Sequence, residues 1–439
     1  MTNCKEESEM NIDMLHPADQ IVMIMERIYK NGMTTTSGGN LSIKDDNGDI
    51  WISPAAIDKG TLSRKDIVCV KADGTIEGIH IPSSEFPFHR HLYQVRPDIK
   101  AVLHAHSPAL VAFSIVRKIP DTHLIPNVNQ VCGDVGMAEY GLPGSEELGD
   151  KIAKVFKQGY NTVILENHGV CVGSQSLFKA FMAFETLDFC ARLEIEAHKI
   201  GTPKGLTQEK IDLSSKKQSI HMDEFVPLSF SSEERYARRE MCEFIHRAYD
   251  QQLFTSSQGT FSQRLSDNSF VITPYSLDRK YIDVEDLVRI DGDLKEAGKT
   301  PSRSVLLHKL IYDKHPHINS IIIAHPPHVM AFAVTEEKLD SKTIPESYIL
   351  MRNIPRIPFG ASFMQQGMTA DVFSKTTPII MLTNDCLIVT GSSLLNAFDR
   401  LEVAEYSAMA ILASKDLGEI VAIDDAQIDE LEVAFKLDR

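Results

Sequence analysis

The chain has 439 residues, 43% hydrophobic and 24% charged, which gives two or three globular domains and excludes a disordered chain. It carries 45 basic against 61 acidic residues, net −16, and without a local basic patch such a surface excludes nucleic acid as a partner. No apolar run is long enough for a membrane helix, the start is not built like a secretory signal, and seven scattered cysteines form no disulfide framework; the expected setting is the reducing cytoplasm.

Residues 1–15 read as a flexible tail. A helix is expected from Pro17-Ala18 to about Asn31, with Ile21, Ile24, Met25 and Ile28 on one face. DIWISP, ending at Pro54, reads as a strand. Pro82-Ser83-Ser84-Glu85 is a turn leading into the helix FHRHLYQVRP. His89 and His91 lie two apart there and cannot share a helix face, so His89 is expected to pack or to make a structural hydrogen bond. KAVLHAH reads as a buried strand and SPALVAFSI as a helix. Gly133, Gly136 and Gly141 of VCGDVGMAEYG lack a strand-then-helix setting, so the segment reads as a loop and not a phosphate cradle. Asp121, His123 and Tyr140 are weak candidates for substrate contact there. A helix SEELGDKIAKVFKQ, strands in TVILENHGVCVGS and a long helix to about His198 complete the first half. Residues 201–230 are polar and rich in Gly, Pro, Ser and Lys, as a linker is. The next helix is capped by Ser231 or Ser232.

The elements then recur. YKNGMTTTSGGNLS from Tyr29 matches YDQQLFTSSQGTFS from Tyr249, and Pro54 and Asp58 meet Pro274 and Asp278, all at an offset of 220. Pro82, His89, Tyr93 and His106 meet Pro301, His308, Tyr312 and His325 at 219. This is a tandem duplication of one domain, 16–200 and 231–439, too long a unit for a solenoid repeat.

His104 and His106 lie two apart on a strand, so both side chains take one face. Such a pair can hold one metal, or can be two hydrogen-bonded histidines. His168, in ILENHGVCVG, and Glu85 would complete a divalent site, although spacing alone does not bring them together. Glu85 could instead cap the helix after its turn. In the second copy Ser304 replaces Glu85 and Ile323 replaces His104. Counting back from Gly173-Ser174 and Gly391-Ser392 sets Cys386 against His168. Only His106 keeps its match, so one copy is expected to bind metal and the other not.

At these residues the chain resembles the class II aldolase/adducin family. The matching parts run in order: Gly39-Asn40, Ile52 to Pro54, Pro82 to Glu85, Phe88-His89, Arg96-Pro97-Asp98, His104-Ala105-His106 and Asn167-His168-Gly169. They cover about 22–200 well and 235–415 weakly. The resemblance implies an α/β chain of two tandem three-layer α/β/α domains, each with a central mixed or mainly antiparallel sheet. It implies zinc, or another divalent metal, on His104, His106 and His168. Glu85 would be a ligand at rest and the acid/base once substrate displaces it, with Asn40, Ser83 and Ser84 binding substrate. The implied activity is that of a class II aldolase, cleaving a carbon–carbon bond in a short keto sugar, sugar phosphate or sugar acid through a zinc-stabilised enediolate. Sibling activities are a sugar-phosphate 4-epimerase, a 3-oxo-acid decarboxylase and a non-catalytic adducin-like interaction module. A homo-oligomer is implied, two duplicated chains forming a pseudo-tetramer. Two positions depart from the pattern: Ala55-Ala56 stands where the family has Ser/Thr-Gly, and Leu124 where the aldolase has a tyrosine.

Overall fold

The computed structural model describes residues 12–217 and 220–437. The chain divides into two compact units: one runs to His123 and includes Asn127–Arg192, the other holds Leu124–Pro126 and everything from Leu193.

The first unit is built on β1 (Asn40–Lys44), β2 (Ile50–Ile52), β3 (Val68–Val70), β4 (Ile76–Glu77), β5 (Ala101–Ala105), β6 (Val135–Ala138), β7 (Thr162–Leu165) and β8 (Gly169–Ser174). They form one sheet in the order β4-β3-β2-β1-β5-β8-β7-β6, antiparallel except for the parallel pair β6–β7. The apolar run AVLHA makes β5 buried throughout, which fits a central strand. Of the helices, α1 (Pro17–Lys30) packs on β1 and β2, burying Ile21, Ile24, Met25 and Ile28 as its periodicity predicts. The helices α2 (Phe86–Val95) and α3 (Glu146–Phe156) pack together. Phe88 and Leu92 of α2 and Ile152 and Phe156 of α3 close a core over Val102 and Val163. That core lies on the same face of β5 as His104.

Three sequence expectations change here. The segment VCGDVGMAEYG is not all loop, because it contains β6. Gly136 breaks the apolar pattern of that strand, and it must be small: a Cβ there would lie 2.5 Å from Val155 Cγ1. The linker 201–230 contains a helix, Gln208–Ser215, and a strand, β9 (Asp223–Phe225). β9 is short and mostly exposed, held by its ladder and not by an apolar face. The flexible tail falls mainly on residues 1–11, outside the described residues; Ile12–Met14 is a 3-10 turn with Ile12 buried.

The second unit repeats the sheet. Its strands are β9, β10 (Thr260–Arg264), β11 (Phe270–Ile272), β12 (Val288–Asp291), β13 (Leu294–Glu296), β14 (Ser320–Ala324), β15 (Arg356–Ile357), β16 (Ile379–Leu382) and β17 (Leu387–Gly391). Their order is β15-β16-β17-β14-β10-β11-β12-β13-β9, the first sheet's order with β9 added at an edge. The register corrects one alignment. His104 pairs with Cys171 across β5 and β8, and Ile323 pairs with Ile388 across β14 and β17. The preceding turns also match: Asn167 has φ 54 and Asn384 φ 53, and the His168 and Asp385 amides donate to Leu165 and Leu382. The counterpart of His168 is therefore Asp385, and Cys386 matches Gly169. The two glycine–serine pairs used to count back are out of step by one residue, since Ser174 and Gly391 share a ladder position.

Among the described residues, no helix is long and apolar enough to cross a membrane.

Candidate metal centre

The strand β5 carries His104 as its penultimate residue, fully buried, and His106 follows just past its end. His168 sits on the tight turn between β7 and β8, where Asn167 adopts a left-handed backbone. Glu85 stands at the N-cap position of α2, 7% exposed. Its side chain makes no capping hydrogen bond. Instead it reaches across to β1 and β5. Oε2 accepts from Asn40 Nδ2 at 2.7 Å and lies 3.3 Å from His104 Nε2, while Oε1 lies 3.5 Å from His168 Nε2. The Nε2 atoms of His104 and His106 are 2.9 Å apart. His104, His106 and His168 each offer a ligand atom within 4.8 Å of the others, and among the described residues they are the one such group of three.

The imidazoles are in the state a metal needs. His104 Nδ1 lies 2.9 Å from the Val170 carbonyl, which can only accept, so that nitrogen carries the proton and Nε2 turns its lone pair inward. Burial pulls His104 and His106 each down to about 3; His168 adds to it for both, and His104 adds to it for His106. Burial also lowers His168, opposed by the Glu85 charge. Three neutral imidazoles and one carboxylate are the donor set of a borderline divalent ion such as zinc. Glu85 Oε1 is buried with no hydrogen-bond partner among the described residues, a polar atom in want of a ligand.

The backbone around the site leaves no room for side chains. A Cβ on Gly38 would lie 2.9 Å from His106 Nδ1, and one on Gly39 2.8 Å from the His104 carbonyl. On Gly169 it would lie 2.6 Å from His106 Cδ2. These close approaches, together with the Val170 carbonyl, were not read from sequence.

The substrate-binding candidates have unequal freedom. Asn40 is buried, with its amide nitrogen on Glu85 and its oxygen facing His89. Ser83 is buried and its Oγ accepts from the Glu85 amide at 3.3 Å. Ser84 is exposed beside Gly144. Of the weak candidates, Asp121 Oδ1 accepts from the His123 amide, and the Tyr140 backbone engages Glu166 and Lys151.

Ala56, where the resemblance places a glycine, keeps that residue's geometry, with φ 54; Ser276 does the same in the second unit, with φ 65. The turn after Pro54 thus retains its path at the expense of Cβ strain. Ala56→Gly is expected to raise stability by roughly 1 kcal/mol, seen as a melting temperature a few degrees higher. A lower melting temperature would show that Ala56 packs usefully.

A mixed, mostly antiparallel sheet flanked by helices, with three imidazoles and a carboxylate gathered at the ends of its central strands, defines an α/β protein fitted for a divalent ion. The family model for the class II aldolase and adducin N-terminal domain matches residues 19–195 and again 239–412. The chain belongs to that family, in two tandem copies. It is 32% identical over 207 residues to a 5-deoxy-D-ribulose 1-phosphate aldolase of Bacillus thuringiensis, covering 45% of this chain and 93% of the relative. It is 28% identical over 177 residues to a 3-oxo-tetronate 4-phosphate decarboxylase of Haemophilus influenzae, covering 39% and 84%. A solved L-fuculose 1-phosphate aldolase is 33% identical, covering 46% of this chain and 94% of its own, with a TM-score of 0.42.

Proposed function

We propose that the first unit is a metal-dependent aldolase that cleaves a carbon–carbon bond in a short keto sugar or its phosphate. The observation that carries this reading is the approach of the Glu85 carboxylate to His104 and His168, within a cluster of three imidazoles. Zinc held by His104, His106 and His168, with Glu85 as a further ligand at rest, would supply a Lewis acid that polarises a substrate carbonyl. The chain's own residues would do the remainder. Glu85 Oε2 is tied to Asn40, which leaves the unpartnered Oε1 to take or return the proton at the carbon beside that carbonyl. Ser84, exposed at the turn before α2, and Ala56 in the turn after Pro54 would offer a hydroxyl and a backbone amide to the substrate's charged end, with Asn40 and Ser83 behind them. The relative named for a sugar-phosphate aldolase supports this substrate class. The relative named as a decarboxylase meets the same need to stabilise charge beside a carbonyl, so the products decide.

The test begins with metal. The second unit has Ser304, Ile323 and Asp385 where the first has Glu85, His104 and His168, so about one zinc per chain is expected by elemental analysis. His104→Ala or His168→Ala should empty it. Two ions per chain would contradict a bare second unit, and none after zinc-replete purification would favour a non-catalytic module. A panel of keto sugar phosphates and 3-oxo acids should then yield aldehyde without carbon dioxide; carbon dioxide would shift the assignment to a decarboxylase.

A further inference from the structure

Five buried or partly buried side chains form one hydrogen-bonded line that ends on Glu85. Tyr93 OH lies 2.7 Å from Ser42 Oγ, Ser42 Oγ 2.7 Å from His89 Nδ1, His89 Nε2 2.5 Å from Asn40 Oδ1, and Asn40 Nδ2 2.7 Å from Glu85 Oε2. β1 supplies Asn40 and Ser42, two apart on one face, and α2 supplies His89 and Tyr93, four apart on one side of a helix.

The direction of every link follows from the groups themselves. A carboxylate only accepts, so Asn40 turns its NH2 toward Glu85 and its carbonyl oxygen toward His89. That oxygen also only accepts, so His89 Nε2 carries the proton. Burial keeps His89 neutral, pulling it to about 3, with His104 adding a smaller push. A neutral ring has one N–H, so Nδ1 accepts from the Ser42 hydroxyl, and Ser42 Oγ accepts from Tyr93. Reversing any one link would set two acceptors or two donors face to face.

We propose that His89 is a positioning residue: its Nε2–H fixes the facing of the Asn40 amide and so holds the Glu85 carboxylate against the three imidazoles. This rests on Glu85 being a metal ligand, as read above. The second unit separates scaffold from device. There Tyr312, Ser262 and His308 repeat the inner links at 2.7 and 2.7 Å. Thr260 stands in place of Asn40 and bonds to Ser302 at 2.9 Å. His308 Nε2 is left buried with no hydrogen-bond partner among the described residues. The Tyr–Ser–His links therefore join helix to strand whether or not a metal site is present. Only the Nε2 end depends on the carboxylate.

Two substitutions tell the ends of the ring apart. Glutamine can set its amide nitrogen near the place of Nε2, whereas asparagine reaches only the place of Nδ1. In the full-length protein, His89→Asn should weaken zinc about 10–100-fold in a chelator competition, and His89→Gln should recover affinity to within about threefold of wild type. Turnover should follow the same order in kcat, with KM nearly constant. Packing through Ser42 and Tyr93 alone would make asparagine the better replacement, and that order would overturn the proposal. Should neither variant fold, Asn40→Thr reproduces the second unit's Thr260. It should lose zinc by a similar factor of about 10–100 while still unfolding cooperatively, and undiminished affinity would overturn the proposal. Zinc affinities graded as expected, with no carbon–carbon cleavage by wild type, would refute the aldolase reading and leave the positioning role intact.

Discussion

Glu85→Gln is expected to stay loaded with zinc under zinc-replete conditions, at an affinity lowered at least as far as by His89→Asn, and to lose about 10²–10⁴ in turnover, the usual worth of a positioned acid/base. The amide keeps the size of the side chain and an oxygen donor, but it has no basic lone pair near neutral pH. His104, His106 and His168 remain, and three imidazoles hold zinc in many proteins. Exchange of solvent deuterium into the carbon beside the product carbonyl should fall in parallel with turnover. A mere helix cap would behave differently, costing stability and little activity. The carboxylate makes no cap hydrogen bond and lies 2.7 Å from Asn40 instead, so a stability loss of that kind is not expected. Near-wild-type exchange with metal still bound would remove Glu85 from the chemistry, and the aldolase reading with it.

Acid should unfold the metal-free protein through histidines that cannot be protonated in place. His89 and His308 are completely buried, one in each unit, and burial pulls each to about 3; His104 adds to this for His89, and Lys217 for His308. In the unfolded chain a histidine titrates near pH 6.5. As pH falls the unfolded state therefore binds these protons first. Their contribution to stability is whole above about pH 6.5, drains away between about 6.5 and 3, and is gone below. Inside that window each ring adds a slope of about 1.4 kcal/mol per pH unit, so the pair is worth several kcal/mol across it. Urea denaturation in chelator at pH 7, 6 and 5 measures the slope. His308 lies outside the metal centre, and His308→Gln should reduce the slope by about 1.4 kcal/mol per pH unit. An unaltered slope would mean that His308 already takes up a proton in the folded state.

The duplication and most elements were legible because apolar periodicity and turn residues recur at nearly constant spacing, as at His89 and His308 or Tyr93 and Tyr312. The edge strands were not. β6 carries a glycine that a neighbouring helix demands, and β9 has no apolar face. The His104–His106 pair was legible from its two-residue step along a strand, whereas the approach of Glu85 and His168 depends on pairings between distant segments. The line through Ser42 and Asn40 left a trace that went unread. An Asn-x-Ser strand and a His-x-x-x-Tyr helix in one copy correspond in sequence to a Thr-x-Ser strand and the same His-x-x-x-Tyr helix in the other. Counting along loops put Cys386 where Asp385 belongs, because one residue of slack in a turn is invisible until a ladder pins it.

The shared register also measures how far apart the two halves have drifted. Thr260 faces Ile323 just as Asn40 faces His104, and Ser304 has the backbone angles of Glu85, φ −88 and ψ 4 against φ −93 and ψ 7. Thr260, Ser304, Ile323 and Asp385 stand where the first unit has Asn40, Glu85, His104 and His168, and Gln258, Arg303 and Cys386 where it has Gly38, Ser84 and Gly169, while His308 and His325 repeat His89 and His106. The two units differ in the contents of the site and agree in its frame. The second unit thus shows which links the sheet keeps without the metal-binding side chains: the Tyr312–Ser262–His308 line joins helix to strand on its own.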